Sequence, residues 1–372
     1  MSDAGPPQDA NDPSGGSDLH AVKSVGAKLS VHPRDVLLGS QAVAVSLSVC
    51  DHYCGVEARI KKSLQLQAEL TQEFGSCVFD VTLDCEDGAP VGGEVDHANM
   101  VVASINTAYN ATKIIAINAP DKTRPRIAVR VHALDHPAFE SDIDIIVAQA
   151  GHHLAHVMIP KVESVADVEN AVKAIDAASK HCLHPIPIHV LLESPKAIHH
   201  AFDVAAHPRV QSISFGLMDF VSSHGGAIPA SAMGTSGVRG QFEHPLVVRA
   251  KLAISSACHA HGKVPSHCVV TEFADLQAIQ SAATKAANDF GYTRMWSIHP
   301  SQIRPILAAF SPEDSAIDEA THIIDKAAKS DWAPVSVKGV LHDRASYRFY
   351  WQVLERAHQT GKTLDASIAN YF

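Results

Sequence analysis

Two apolar runs that each end in a carboxylate indicate the fold: Ile188-His189-Val190-Leu191-Leu192-Glu193-Ser194 and Ile213-Ser214-Phe215-Gly216-Leu217-Met218-Asp219. Glu193 and Asp219 are 26 residues apart, and a helix-like stretch from Ala197 to Ala206 lies between them. This is the pattern of one β-α-β step, in which parallel strands bring both carboxylates to the same edge of a sheet. Two oxygen ligands at one mouth suit a divalent cation such as Mg²⁺. The alternative is that each carboxylate caps the following helix.

The rest of the chain alternates short strand patterns with longer helical ones. The candidate strands are Val36–Leu38 (or Val43–Val49), Val78–Asp84, Arg126–Val131, His156–Ile159, Ile188–Leu192, Ser212–Phe215, Ser266–Val270 and Met295–Ile298. The helical stretches include Val56–Phe74, Val95–Tyr109, Ser164–Lys180, Pro245–His261 and Phe273–Phe290. Eight strands alternating with helices predict an α/β fold, the (β/α)8 TIM barrel. A doubly wound sheet is the alternative, but no glycine-rich dinucleotide-binding turn follows the first strand.

Three regions are expected along the chain. Residues 1–25 are polar and rich in Pro, Gly and Asp, which predicts a disordered tail. Residues 26–310 form the barrel and hold the catalytic site. Residues 311–372 form a C-terminal helical extension, with helices predicted over Asp314–Lys329 and Ala345–His358. This extension lies outside the barrel count, so it must pack either on its own barrel or on that of a neighbour.

Composition argues against several classes of protein. The net charge of −10 over 372 residues disfavours sequence-independent nucleic-acid binding. No apolar stretch approaches the ~20 residues of a membrane span, and the first residues do not have the pattern of a secretory signal. The seven cysteines are scattered, which is typical of reduced thiols. A cytoplasmic protein is therefore expected.

Further chemical positions lie at other predicted strand ends. Asp84, Glu86 and Asp87 place three acids within four residues, so a cation or an arginine should lie near them. Arg130 lies within an apolar strand, where burial requires a partner; the acids of strand two could pair with it, or its fork could bind a carboxylate or a developing enolate oxygen. Lys161 follows strand four and could face the mouth. A Schiff-base lysine is conceivable there, but it would not need the metal-binding acids.

Seven short motifs occur in order between about residues 35 and 350. They are Leu83-Asp84-Cys85-Glu86-Asp87, Val129-Arg130-Val131, Pro160-Lys161-Val162-Glu163-Ser164, Leu192-Glu193-Ser194, Gly216-Leu217-Met218-Asp219-Phe220, Ile298-His299-Pro300-Ser301-Gln302-Ile303 and the segment Lys338 to Arg344. Together they resemble the citrate lyase β-subunit-like, CoA-ester lyase family, relatives of malyl-CoA lyase within the HpcH/HpaI aldolase superfamily. Each motif is weak by itself, whereas seven in sequence are specific.

The resemblance implies a Mg²⁺-dependent TIM barrel that makes or breaks a carbon–carbon bond next to a thioester, with Mn²⁺ as the alternative ion. It implies that Glu193 and Asp219 bind the metal, that Arg130 stabilises the enolate, and that Asp343 is the base, delivered from a neighbouring subunit. The implied substrate-binding residues are Gly216, Leu217 and Met218, through their backbone N–H groups, together with Glu86, Asp87 and Lys161.

The same resemblance implies partners and assembly. The substrates would be acyl-CoA esters and small oxoacids, with no nucleic acid and no membrane. The C-terminal extension would pack on a neighbouring subunit of a homo-oligomer, a trimer or a hexamer. Four positions depart from the family pattern: His132, Met218, Met295 and the Arg344-Ala345 pair that follows Asp343. These departures bear on the identity of the acyl-CoA and the oxoacid and leave the metal pair intact.

The leading function is therefore a 3-hydroxyacyl-CoA lyase of the malyl- or citramalyl-CoA kind. One alternative is a CoA-independent hydroxy-oxoacid aldolase, which shares the metal pair but typically lacks the C-terminal extension. A second is a thioesterase that hydrolyses malyl-CoA at the same site. A non-catalytic subunit is a third, and retention of Arg130, Glu193, Asp219 and Asp343 argues against it.

Overall fold

Eight parallel strands close into a barrel in the computed structural model, which describes residues 31–39, 47–115, 123–235 and 239–372. The strands pair in chain order, and β8 closes on β1. They are β1 (Cys50–Cys54), β2 (Phe79–Asp84), β3 (Ile127–Arg130), β4 (Leu154–Ile159), β5 (Ile188–Leu192), β6 (Val210–Phe215), β7 (Val264–His267) and β8 (Arg294–Ser297). The predicted (β/α)8 TIM barrel is therefore confirmed.

The predicted position of the first strand is wrong. Residues 36–38 belong to helix α1 (Pro33–Leu38), and most of the alternative, Val43–Val49, lies outside the described residues. The actual strand reads Cys-Asp-His-Tyr-Cys and is buried throughout. Its polar residues break the apolar run by which the other strands are recognised, because this barrel has polar side chains inside.

Helices follow the strands and cover the outside of the barrel. They are α2 (Glu57–Phe74), α3 (Glu94–Ile115), α4 (Phe139–Asp142), α5 (Ala148–Ala150), α6 (Val165–Ala178), α7 (Pro195–His199), α8 (Ala201–Ala206), α9 (Leu217–Ser222), α10 (Pro245–Ala260), α11 (Leu276–Asn288) and α12 (Ile303–Phe310). A π-helical segment, Ile143–Val147, joins α4 to α5. The helix-like stretch between the two carboxylates is thus two short helices, which meet at His200.

Each strand presents one set of side chains to the helices and the other to the barrel interior. On β5, Ile188, Val190 and Leu192 belong to the large apolar core against the helices. His189 and Leu191 alternate with them and point inward. Leu191 packs with Tyr53, Met158, Val269 and Trp296 in a small interior apolar cluster. Glu193 comes two residues after Leu191, so it lies above this cluster, at the mouth.

The C-terminal extension has its own apolar core. It contains α13 (Asp314–Lys329), the antiparallel hairpin β9 (Val335–Val337) and β10 (Val340–His342), α14 (Arg344–Gln359) and α15 (Ala366–Ala369). Leu37 and Leu38 of α1 pack in this core with residues of α13 and α14. The predicted tail, residues 1–25, lies outside the described residues.

Candidate active site

The carboxyl ends of the strands surround a cavity of about 860 Å³. Seven of the predicted site residues line it: Asp87, Arg130, Glu193, Gly216, Leu217, Met218 and Asp219. Parallel strands therefore bring together residues from β2, β3, β5 and β6, as the spacing of the two carboxylates predicts.

Glu193 is held tightly at the end of β5. The backbone N–H of Lys161 donates to its Oε1 at 2.7 Å, and only 5% of the residue is exposed. Gly216 makes room for the side chain, because a Cβ at position 216 would lie 2.4 Å from Glu193 Oε2. Lys161 itself has a left-handed backbone, with φ of 53°, which aims its N–H at the carboxylate.

Glu193 and Asp219 repel each other across this site. Burial raises the pKa of Glu193 to about 8, and the charge of Asp219 adds to the rise. Asp219 lies in the first turn of α9 and is half-buried. A divalent cation would reverse the effect, because it stabilises both charged carboxylates. The donor set is hard oxygen, so these two residues could hold Mg²⁺.

Arg130 is fixed by the acids at the end of β2, as predicted. Its Nε donates to Asp84 Oδ1 at 2.7 Å, its Nη2 donates to Asp84 Oδ2 at 2.5 Å, and its Nη1 lies 2.9 Å from Glu86 Oε2. Burial alone would lower its pKa, but Asp84 and Glu86 raise it well above its ordinary value. The guanidinium also lies 5.8 Å from the ring centres of Tyr53 and Trp296. It is therefore a permanent cation with a fixed orientation.

Lys161 and Glu86 pair with each other. The Lys161 ammonium lies 2.5 Å from Glu86 Oε1 and 3.9 Å from Asp87 Oδ1. Burial would lower the lysine pKa, but Glu86 and Asp87 raise it above its usual range. A Schiff-base lysine needs the neutral amine, so this environment disfavours the covalent alternative. Burial, followed by the charge of Glu86, raises the pKa of Asp87, although this residue is exposed.

Asp343 lies away from this cavity within its own chain. It is exposed and caps α14, accepting hydrogen bonds from the N–H groups of Ala345 (2.9 Å) and Ser346 (3.3 Å). It is absent from the lining formed by the described residues. Its assignment as the base therefore stays a prediction that requires a second chain.

Apolar residues that were not predicted as site residues also line the cavity. They are Val269, Phe273, Trp296 and Ile298, and the Phe273 ring stacks on His299 with centres 4.9 Å apart. Arg59 and Lys62, in the first turns of α2, lie at the same mouth. Ile298 begins the motif that contains His299 and Pro300, and Trp296 lies two residues before it. Alternation along β8 was therefore the signal that could have assigned both to the site.

Comparison with known proteins supports one family. The profile described as HpcH/HpaI aldolase/citrate lyase matches residues 66–300, more than half of the chain. The chain belongs to the HpcH/HpaI aldolase/citrate lyase family. It is 34% identical over 273 residues to an L-malyl-CoA/beta-methylmalyl-CoA lyase of Cereibacter sphaeroides, covering 68% of this chain and 83% of the relative. The family that the seven motifs indicate is thus confirmed.

Solved structures agree with this assignment. A citrate lyase from Burkholderia xenovorans LB400 is 44% identical, with 92% of this chain and 99% of that chain covered and a TM-score of 0.71. The CitE protein of Mycobacterium tuberculosis, solved in complex with magnesium, acetoacetate and coenzyme A, is 20% identical. The match covers 84% of this chain and 98% of that one with a TM-score of 0.55, so it shows the shared fold.

Proposed function

We propose that this chain is a Mg²⁺-dependent carbon–carbon lyase that cleaves, or forms, a 3-hydroxyacyl-CoA thioester. The products of cleavage are acetyl-CoA or a related acyl-CoA and an oxoacid. One observation carries the proposal: Glu193 and Asp219 face the same cavity as the fixed cation Arg130. The lyase names of the curated relatives support it. Mn²⁺ is the alternative ion at this site.

Each residue has a defined task in the cleavage direction. A base removes the proton of the 3-hydroxyl group, the bond between C2 and C3 breaks, and its electron pair moves towards the thioester oxygen. Arg130 stabilises the enolate that results, because its charge is fixed before the reaction starts. The enolate then takes up a proton at C2, which gives the acyl-CoA product. Mg²⁺ held by Glu193 and Asp219 would polarise the oxygens of the oxoacid half.

The start of α9 suits the carboxylate of the oxoacid. The N–H of Gly216 is already used, since it donates to Leu192 O at 3.0 Å. The N–H groups of Leu217, Met218 and Asp219 are the first three of the helix, where no intrahelical acceptor exists. We therefore assign carboxylate binding to these three groups, and to Gly216 only the role of making space for Glu193.

Met295 does not contact the CoA phosphates in the proposed site. That side chain is fully buried in the core around the barrel and cannot reach a ligand at the mouth. Arg59 and Lys62 supply positive charge at the mouth instead. In a chain with a net charge of −10, such local charge is what an anionic thioester needs.

A second chain completes the proposed site. Asp343 follows the hairpin β9–β10, where Val340 and Leu341 are 58% and 72% exposed, and Phe349 on α14 is 61% exposed. These three apolar side chains next to Asp343 suit a contact with another copy, which would present the acid to the neighbouring mouth. A homotrimer or a hexamer is the proposed assembly.

The cytoplasm remains the proposed compartment. None of the helices in the described part of the chain is long and apolar enough to cross a membrane. All seven cysteines are free thiols, five of them buried, which suits a reducing environment.

A product-resolved screen tests the function. The purified chain is incubated with Mg²⁺ and a set of 3-hydroxyacyl-CoA esters, malyl- and citramalyl-CoA first, while oxoacid, acyl-CoA and free CoA are measured separately. We expect oxoacid and acyl-CoA in equal amounts. Free CoA without acyl-CoA would identify the thioesterase alternative, and turnover of free hydroxy-oxoacids alone would identify the aldolase. Either result overturns the lyase assignment.

A further inference from the structure

The barrel interior contains a charged layer below the mouth. Asp51, His156, His189 and Arg294 each stand two residues before a member of the interior apolar cluster on the same strand. They therefore lie one layer further from the mouth than Tyr53, Met158, Leu191 and Trp296. All four are buried, with exposure of 1% or less. TIM barrel interiors are normally filled with branched apolar side chains, so this layer needs an explanation.

Several polar atoms in this layer lack a hydrogen bond. Both ring nitrogens of His156, together with Nδ1 of His189, have no partner among the described residues. Asp51 Oδ2 lies 3.8 Å from His156 Nε2 and 3.9 Å from His189 Nδ1, beyond hydrogen-bond distance. Leaving buried polar groups unpaired is unfavourable, so something else should occupy the space between them.

Three of these groups converge as metal ligands do. One carboxylate oxygen of Asp51 and one nitrogen each of His156 and His189 lie within 4.8 Å of one another. The other nitrogen of His189, Nε2, lies 2.8 Å from Ser214 Oγ, and Thr82 donates to Asp51 Oδ1 at 2.7 Å. Such outer partners orient the ring and the carboxylate of metal ligands.

We propose that Asp51, His156 and His189 bind a divalent transition-metal ion inside the barrel, separately from the Mg²⁺ pair at the mouth. Two imidazoles and one carboxylate favour Zn²⁺ over Mg²⁺, which prefers oxygen ligands and water. The hydroxyls of Ser212 and Ser266, which are also buried and unpaired among the described residues, would hold a water that completes the coordination. The interior apolar cluster separates this site from the mouth, so the ion has a structural role.

Among the described residues, Arg294 is the cation that pairs with Asp51. Its Nη2 lies 2.7 Å from Asp51 Oδ2 and 2.9 Å from Asp80 Oδ2. Asp80 also pairs with Arg126, whose Nε lies 2.7 Å from Asp80 Oδ1, so Asp51 and Asp80 together balance two guanidinium groups. The proposed ion would therefore share the Asp51 carboxylate with Arg294. The interior apolar cluster would prevent a buried ion from exchanging with the solvent. The ion would therefore enter while the chain folds.

Metal analysis of the intact protein tests the proposal. Tag-free chain, purified without added metal, is dialysed against EDTA to remove the mouth cation and then analysed by inductively coupled plasma mass spectrometry. A parallel sample is unfolded with EDTA and refolded with Zn²⁺ before the same dialysis. We expect about one retained Zn²⁺ per folded chain in at least one sample, as for structural zinc sites.

Variants identify where the retained ion is bound. His189→Ala should lose it, whereas His200→Ala, at a surface histidine between α7 and α8, and Glu193→Gln should both keep it. If His189→Ala fails to fold, the metal content of the folded wild-type protein still decides whether the interior site binds an ion. Folded wild-type protein without retained transition metal in either sample would overturn the site and leave a water cluster as the occupant. Loss of the ion in Glu193→Gln would assign it to the mouth and overturn the proposal as well.

Discussion

At the scale of single residues, Glu193 carries a charge that the fold disfavours. Burial and Asp219 raise its pKa to about 8, so a neutral amide at this position avoids the cost of a buried charge beside Asp219. Glu193→Gln should therefore abolish the Mg²⁺-dependent rate while the melting temperature stays equal or rises. Asp219→Asn should be inactive and folded as well. Both are measured by the product-resolved assay, by Mg²⁺ titration and by thermal unfolding.

Glu169→Gln provides the control for these variants, because Glu169 is exposed on α6 and should leave rate and stability unchanged. Full activity of either active-site variant in the presence of EDTA would show that the two carboxylates do not act through a metal.

Replacing Arg130 by lysine tests whether catalysis needs the geometry of the guanidinium group or only its positive charge. Arg130→Lys keeps the positive charge but cannot reproduce the paired contacts to Asp84 and Glu86, because an ammonium has no planar fork. We expect kcat to fall by about 10²-fold or more, the scale of losing one oxyanion donor. Arg126→Lys is the matched control: Arg126 also pairs with an aspartate, Asp80, but at the opposite end of β3. Equal rates for wild type and Arg130→Lys would make Arg130 structural.

The burial of Lys251 predicts that the free energy of unfolding depends on pH. It is fully buried in α10, hydrogen-bonded to Gln241 Oε1 at 2.8 Å, with its ammonium 3.9 Å from the centre of the Phe242 ring. Burial lowers its pKa to about 8, below the ~10.4 of the unfolded chain. Between these values the unfolded chain binds a proton that the folded chain does not, so this lysine makes the folded state more stable as pH rises. The full effect is roughly 3 kcal/mol.

Thermal unfolding of Lys251→Met at pH 7 and at pH 9.5 measures this effect. The variant should be more stable than wild type at pH 7, and most of that difference should disappear at pH 9.5. Lys285→Met, at an exposed lysine near the same ring, should differ from wild type by a constant amount. A pH-independent difference for Lys251→Met would mean that Lys251 is charged throughout.

At the scale of secondary-structure elements, the sequence predicted those with apolar periodicity and missed those without it. Strands β2 to β8 were placed within a few residues, because their outward side chains form the large apolar core. Strand β1 was missed, since Asp51 faces the charged layer of the interior and, with His52, interrupts the apolar pattern. A polar barrel interior cannot be read from one strand, because it depends on Arg294, 243 positions later in the sequence than Asp51, lying beside it in the fold.

The candidate site also contains features that the sequence predicts and features that it does not. Strand-end position was enough to find Glu193, Asp219 and Arg130, because parallel strands end at one edge. The partners of these residues were not predictable. The left-handed backbone of Lys161, which brings its N–H to Glu193, and the space that Gly216 leaves for the same side chain depend on contacts between different strands. Such contacts carry no local signal in the sequence.

At the scale of the whole molecule, one chain holds every proposed active-site group except the base. Asp343 caps α14 beside an exposed apolar hairpin, in an extension whose core includes α1. If this extension docks on a neighbour, each active site is shared by two chains, and the enzyme is an obligate oligomer. Two inactive variants with lesions on opposite sides of the shared site should then complement each other.

We therefore expect Asp343→Asn and Glu193→Gln to be inactive separately and partly active after mixing. In a mixed oligomer, some barrels keep Glu193 and receive an intact Asp343 from the neighbouring chain, so a fraction of the sites is fully wild type. Subunit exchange is verified with two chains of different mass, and the oligomer number by light scattering. If the chains exchange and the mixture stays inactive, Asp343 acts within its own chain or has no part in the reaction. A fully active monomer would exclude the shared site directly, because no second chain would be present to supply the acid.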